Sequence, residues 1–237
     1  MQIYAKSGLM QFVFVESCGE KILTLEGEAF AHICCARRAK VGQTQSVRNL
    51  RDDRLYTYAI ASITRKNATL RLESSQILPK IPPYFSHIIW AIISPQSIYK
   101  TLPSLNELGL SKLSLFFSRF SQGGAKIDTE RIKRILVESC EQCGRSNLCE
   151  VEILGDLDLA LERYKEASVL DFGGEMLHSS AQTRGILQNG IIIGAEGGFS
   201  NEEREVLKSQ NRKIYGVESG LILRSTTATM GVLAKGL

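Results

Sequence analysis

The stretch Ile191-Ile-Ile-Gly194-Ala-Glu-Gly197-Gly198-Phe-Ser200 decides how this chain is read. Three consecutive isoleucines have no polar alternation, so they predict a short strand buried on both faces, as in a parallel sheet. The glycines that follow let the backbone adopt positive φ or approach a flat ligand without a Cβ clash. Ser200-Asn-Glu-Glu203 then has the form of a capping box, which starts a helix. Strand, glycine turn and helix together form a unit of an α/β domain, where ligands lie at the carboxyl ends of the strands. For these glycines alone, a tight turn that holds nothing is the alternative. They are not a dinucleotide fingerprint, because the spacing is wrong and the expected turn follows the first strand. The sequence also has no G-x-x-x-x-G-K-[ST], so a P-loop hydrolase is excluded.

Working outward, residues 86–94, 112–117, 149–154, 168–172, 213–217 and 221–223 predict further strands. Between them, 96–109 predicts a helix interrupted at Pro103, 128–145 a long amphipathic helix and 156–167 a helix opened by Asp156; a last helix starts at Ser225. Strands alternating with helices imply an α/β fold with a parallel sheet covered on both faces. Residues 10–25, 55–60 and 68–72 have short β-type patterns instead, with a possible short helix at 29–38, and read as a small β-barrel. Pro79, Pro82 and Pro83 stiffen the stretch that follows. The expected division is 1–75 and 76–237.

With 237 residues, 43% apolar and 23% charged, the chain has the composition of a soluble globular protein. No apolar run approaches the roughly 18 residues of a membrane span. The first residues lack a signal-peptide pattern, so a cytoplasmic location without membrane partners is expected. The charge is concentrated: residues 37–71 carry nine Lys and Arg against Asp52 and Asp53. Such a run is either a solvated basic face or a phosphate-binding surface, the candidates being Arg37, Arg38, Lys40, Arg48, Arg51 and Arg54.

Two further turns carry polar groups at predicted strand ends: Asp171-Phe172-Gly173-Gly174-Glu175 and Gly220-Leu221-Ile-Leu223-Arg224-Ser225-Thr226-Thr-Ala228. Each is weak alone, but three such turns in one domain would converge on one site. No metal is expected, since the three histidines are scattered. Cys140 and Cys143 fall on the apolar stripe of a helix and read as two core cysteines. On the same helix Arg131, Arg134, Glu138, Gln142 and Arg145 form a polar ridge, either a solvated face or the wall of a cleft.

Gly194–Ser200 and Leu223–Ala228 resemble the paired loop and terminal motifs of the 16S ribosomal RNA (uracil-N3)-methyltransferase family of the SPOUT superfamily. Glu141, Gln142, Gly144 and Arg145 are a third match, Ser118-Arg119-Phe120-Ser121 a weaker fourth, and the N-terminal part resembles the family's PUA-like domain. The resemblance implies a trefoil-knotted α/β domain with a parallel sheet, preceded by a PUA-like barrel that helps hold RNA. It also implies S-adenosylmethionine as cofactor, 16S rRNA or the small ribosomal subunit as partner, and a homodimer with the active site near its interface.

For the cofactor it implies Gly194, Glu196, Gly197 and Gly198, then Asp171, Phe172 and Gly173, then Val217, Leu221, Leu223, Ser225, Thr226 and Ala228. Arg119, Arg145 and Arg224 are candidates for stabilising the uracil anion, and Glu138 or Gln142 for orienting the base. Two positions depart from the family pattern: Ala195 replaces a proline, which should loosen the turn, and Thr226 replaces a frequent glutamate. A SPOUT enzyme acting on another RNA nucleotide, or a non-catalytic RNA-binding protein of the same fold, are the rival readings.

Overall fold

Alternation along Tyr56-Thr-Tyr58-Ala-Ile60 buries every second side chain and sets the core of the first sheet. The computed structural model describes residues 11–36, 38–217 and 220–237. The described residues up to Ile81 group with Val137–Leu148, and Pro82–Leu136 groups with Cys149–Leu237. Neither unit is therefore a single continuous stretch.

The first unit holds β1 (Val13–Phe14), β2 (Ile22–Leu25), α1 (Gly27–Phe30), a π-helical turn at Ala31–Ala36, β3 (Thr44–Arg48), β4 (Arg54–Ile63) and β5 (Ala68–Ile77). The strands form one sheet in the order β1-β3-β4-β5-β2, antiparallel except for β1 with β3. Register shifts in the β4–β5 ladder bend these long strands, consistent with a barrel-like unit. Val13, Leu25, Ile33, Val47, Tyr58, Ile60 and Leu70 fill its core.

Three expectations are corrected here. Arg48 is not part of an exposed basic face: it is 2% exposed, its guanidinium donates to Leu78 O at 2.9 Å, and it lies 5.5 Å from the Phe12 ring centroid. Arg145 leaves the polar ridge and is 5% exposed, with Nε donating to Asn147 Oδ1 at 3.0 Å. Cys140 is buried but Cys143 is exposed, because the helix ends there and Gly144 turns the chain at φ +84°. Glu141 of the same motif is a structural residue, its Oε1 accepting Phe14 N–H at 2.7 Å and its carbonyl Gln11 N–H at 2.8 Å.

The second unit contains β6 (His87–Ala91), α2 (Pro95–Glu107), β7 (Lys112–Phe117), β8 (Glu150–Asp156), α4 (Leu157–Arg163), β9 (Ser168–Met176), α5 (Ser180–Asn189), β10 (Ile191–Ile193), α6 (Asn201–Ser209), β11 (Ile214–Gly216) and α7 (Ser225–Lys235). α3 (Thr129–Cys143) lies between β7 and β8 in sequence. All six strands are parallel, in the order β11-β9-β10-β6-β7-β8. β10 is inserted between β9 and β6, so the strand order switches there, where a ligand crevice belongs.

α2 passes through Pro103 uninterrupted, because Ile98, Leu102 and Leu105 bury one face on either side of the lost backbone donor. Residues 221–223 are not a strand: Leu221 and Ile222 are highly exposed, and the segment returns to α7 as a loop.

A buried polar network lies where β6, β7 and β8 begin. His87 Nε2 is 2.8 Å from Ser114 Oγ, which in turn donates to Glu152 Oε1 at 2.5 Å, so Nε2 carries the imidazole proton. The Tyr164 hydroxyl donates to the same Glu152 oxygen, and Lys112 Nζ stands 3.5 Å from it. Burial, helped by Lys112, lowers the His87 pKa from 6.5 to about 4. The unfolded chain takes up this proton near pH 6.5 and the folded chain only near pH 4, so acid favours unfolding across that window. Stability measured by urea denaturation should fall between those pH values, and His87→Gln should flatten the fall; an equal pH slope in both proteins would contradict the assignment.

Candidate functional site

Three chain segments meet at the carboxyl ends of β9, β10 and β11. The first is a bulge in β9. Val169 pairs with Ile214, but the next residue of β11, Tyr215, pairs with Glu175. Residues 170–174 therefore bow out of the β11 ladder. The bow needs its glycines: Gly173 has φ +73°, and a Cβ on Gly174 would lie 2.6 Å from the Ile214 carbonyl carbon. The second segment follows β10. Ala195 and Gly198 close a turn with Gly198 N donating to Ala195 O at 2.9 Å, and Gly198 has φ +72°. A Cβ on Gly194 would stand 2.8 Å from Gly198 C. Ala195, where the family pattern has proline, is buried and its carbonyl closes the turn.

The third segment returns from β11 to α7. Ser225 Oγ donates to Gly194 O at 2.6 Å and accepts the Trp90 Nε1 proton at 2.7 Å.

Together the segments enclose a cavity of about 520 Å³, within the usual range for small-molecule sites. Asp171, Phe172, Gly173, Gly194, Glu196, Gly197, Gly198, Val217, Leu221, Leu223, Ser225 and Ala228 line it, and of the residues expected to hold a cofactor only Thr226 does not. None of Arg119, Glu138, Gln142, Arg145 and Arg224 lines it. Arg224 is the exposed N-cap of α7, between two lining residues. Arg119 is exposed, its backbone N–H donating to Glu203 Oε1 at 2.8 Å. Glu138, Gln142 and Arg145 belong to the stretch that groups with the first unit.

The sequence reasoning missed Arg204. Its guanidinium forks onto Asp171, Nε to Oδ2 at 2.7 Å and Nη2 to Oδ1 at 3.2 Å. That carboxylate raises the arginine's pKa above its ordinary value. The available signal was its place one turn into the helix that the capping box opens, on the turn nearest the glycine loop. Both halves of that box are made, Ser200 Oγ accepting from Glu203 N and Glu203 Oε2 from Ser200 N. Also lining the cavity, and not among the residues expected to hold a cofactor, are Leu170, Met176, Ile193, Ala195, Phe199, Gly216, Gly220 and Ile222.

The RNA methyltransferase domain family matches residues 81–235. A ribosomal RNA small subunit methyltransferase E of Helicobacter pylori is 44% identical over 226 residues, covering 94% of this chain and 97% of its own. The chain belongs to the ribosomal RNA small subunit methyltransferase E family. A family member from Neisseria gonorrhoeae, solved with bound S-adenosylmethionine, superposes with a TM-score of 0.78 at 17% identity over 95% of both chains. A Legionella pneumophila protein, also solved with that cofactor, gives 0.77 at 22% identity over 94% of this chain and 96% of the other. At these identities the likeness concerns the fold alone.

Within the family frame, the glycines of the site are steric requirements of the turns. Gly194→Ala places a methyl against backbone that has nowhere to go. It should cost about 1–3 kcal/mol of stability in chemical denaturation; an unchanged midpoint would show that the turn relaxes freely.

Proposed function

We propose that this chain is an S-adenosylmethionine-dependent methyltransferase that modifies N3 of a uridine in the 16S rRNA of the small ribosomal subunit. The observation that carries the proposal is the preformed cavity, lined by apolar side chains, by the Asp171 and Glu196 carboxylates and by the glycines of its turns. The cofactor fits this site chemically. Its uncharged flat portion suits the apolar wall of Ile193, Phe199 and Leu223, and its polar groups suit the carboxylates of Asp171 and Glu196 and the main chain of the glycine turn. Asp171, gripped by Arg204, still has lone pairs on both oxygens for a hydroxyl or ammonium group. Bound there, S-adenosylmethionine supplies an electrophilic methyl group.

The protein's part is to align an acceptor nitrogen and to stabilise the charge that uracil develops when N3 loses its proton. Of the five polar candidates, Arg119 and Arg224 flank the cavity within the same unit, and we assign that role to them. The exposed Arg38 and Lys40, with Arg51 and Arg54, are assigned to rRNA phosphates, although Arg51 pairs with Glu16 and Arg54 donates to Ser75 Oγ at 3.2 Å. Arg37 lies outside the described residues.

Phe172 and Ile222, 67% and 85% exposed, stand at the cavity with Met176 beside them. A second copy of the chain covers this apolar rim, which makes the enzyme a homodimer with its active sites at the interface. It works in the cytoplasm, where ribosomal subunits are found. Among the described residues no helix is long and apolar enough to cross a membrane.

Calorimetry should give micromolar S-adenosylmethionine binding, lost in Gly197→Val. Arg119→Ala and Arg224→Ala should keep that affinity while slowing methyl transfer on the order of 100-fold. Absence of cofactor binding in the wild type would leave an RNA-binding protein; full turnover in both arginine variants would remove their assigned role.

A further inference from the structure

The turn after β7 holds a half-exposed aromatic ring against the glycine loop. Phe120 is 51% exposed, yet the turn that carries it is pinned at three points. Ser121 N donates to Ser118 O at 3.0 Å, and Ser118 N to Ser121 Oγ at 2.9 Å. Arg119 N donates to Glu203 Oε1 at 2.8 Å, while the other oxygen of that carboxylate serves the cap of α6 at 2.7 Å. One carboxylate thus ties the Phe120 turn to the helix that follows the glycine loop. The ring itself lies against the loop: a Cβ on Gly197 would be 3.1 Å from Phe120 Cδ2. Gly197 lines the cavity and Phe120 does not, so the ring stands at its edge, half open to solvent.

An exposed phenyl ring gains little from burial here, and ordering it costs conformational freedom. A rigidly presented, half-open aromatic face is what an unpaired nucleobase stacks on, and every base has a face to offer. The exposed guanidinium of Arg119 on the adjacent residue supplies charge beside it.

We infer that Phe120 is the surface on which the target base stacks as it enters the cavity, and that Glu203, by holding Arg119 N–H and the α6 cap together, positions that surface. The inference rests on the rRNA methyltransferase activity proposed above.

The experiment compares wild type, F120A, F120L and F120W as full chains. It measures methyl transfer to small ribosomal subunits from cells lacking the enzyme, S-adenosylmethionine affinity by calorimetry, and mass by sedimentation. F120A and F120L should lose roughly 5- to 150-fold in kcat/KM for the subunits, the range of one base–aromatic stack. Cofactor affinity and mass should not change, and F120W should retain most of the activity. Leucine keeps apolar bulk, so equal activity in F120L and wild type overturns stacking, as does equal activity in F120A. Loss of cofactor affinity in F120A makes the ring a cofactor wall, and a change in mass makes it a subunit contact; either overturns the inference. A wild type that neither binds cofactor nor methylates subunits refutes the underlying activity instead, and the stacking inference falls with it.

Discussion

The site depends on one buried hydroxyl. Ser225 Oγ takes the indole proton of Trp90 and gives its own to the carbonyl of Gly194, at 2.7 and 2.6 Å. Those partners sit on β6 and at the end of β10, and the serine opens α7, so three distant parts of the sequence are fixed at one point. All three groups are shielded from water, where a lost partner leaves a donor or acceptor unsatisfied at a cost of about 1–3 kcal/mol. With Ser225 in place, residues 220–223 have to cross the open end of the sheet, and they close the cavity opposite the β9 bulge. Ser225 is thus an anchor of the third wall as well as of the β10 turn.

Around that point, rigidity comes from backbone and charge is handled by pairs of groups. The turns at 194–198 and 170–174 are shaped by glycines whose missing Cβ atoms would strike main chain. Asp171 and Arg204 hold the bulge against α6, and Glu203 holds α6 against the turn after β7. These ties run between segments that each belong to a different strand end. The segments around the cavity are thus tied to one another, which suits a site that must align two reacting partners rather than merely bind one.

Much of this was legible in the sequence where local chemistry is decisive. The three isoleucines form a buried strand and Ser200 with Glu203 a capping box, as their pattern indicates, while the twelve residues that line one cavity came as a set from the family resemblance. For two arginines polarity was taken as exposure. Arg48 and Arg145 are buried because backbone carbonyls and a side-chain amide receive their guanidinium groups, and no periodicity reveals that. Residues 221–223 have the composition of a strand but form a loop at the wall of the site, with Leu221 and Ile222 exposed. Pro103 breaks a helix in isolation and not one buried along its face. The Asp171–Arg204 pair joins residues 33 apart, a distance at which sequence spacing carries no information.

The central claim is that this pocket delivers a methyl group to the Watson–Crick edge of one uridine in small-subunit rRNA. The most direct measurement supplies labelled S-adenosylmethionine and unmodified small subunits, then maps the label by nuclease digestion, mass spectrometry and reverse transcription. The account predicts one added methyl, on a single uridine, at a position that stops the reverse transcriptase because N3 can no longer pair. A methyl on a ribose, on a nucleotide other than uridine, or no transfer at all would contradict it.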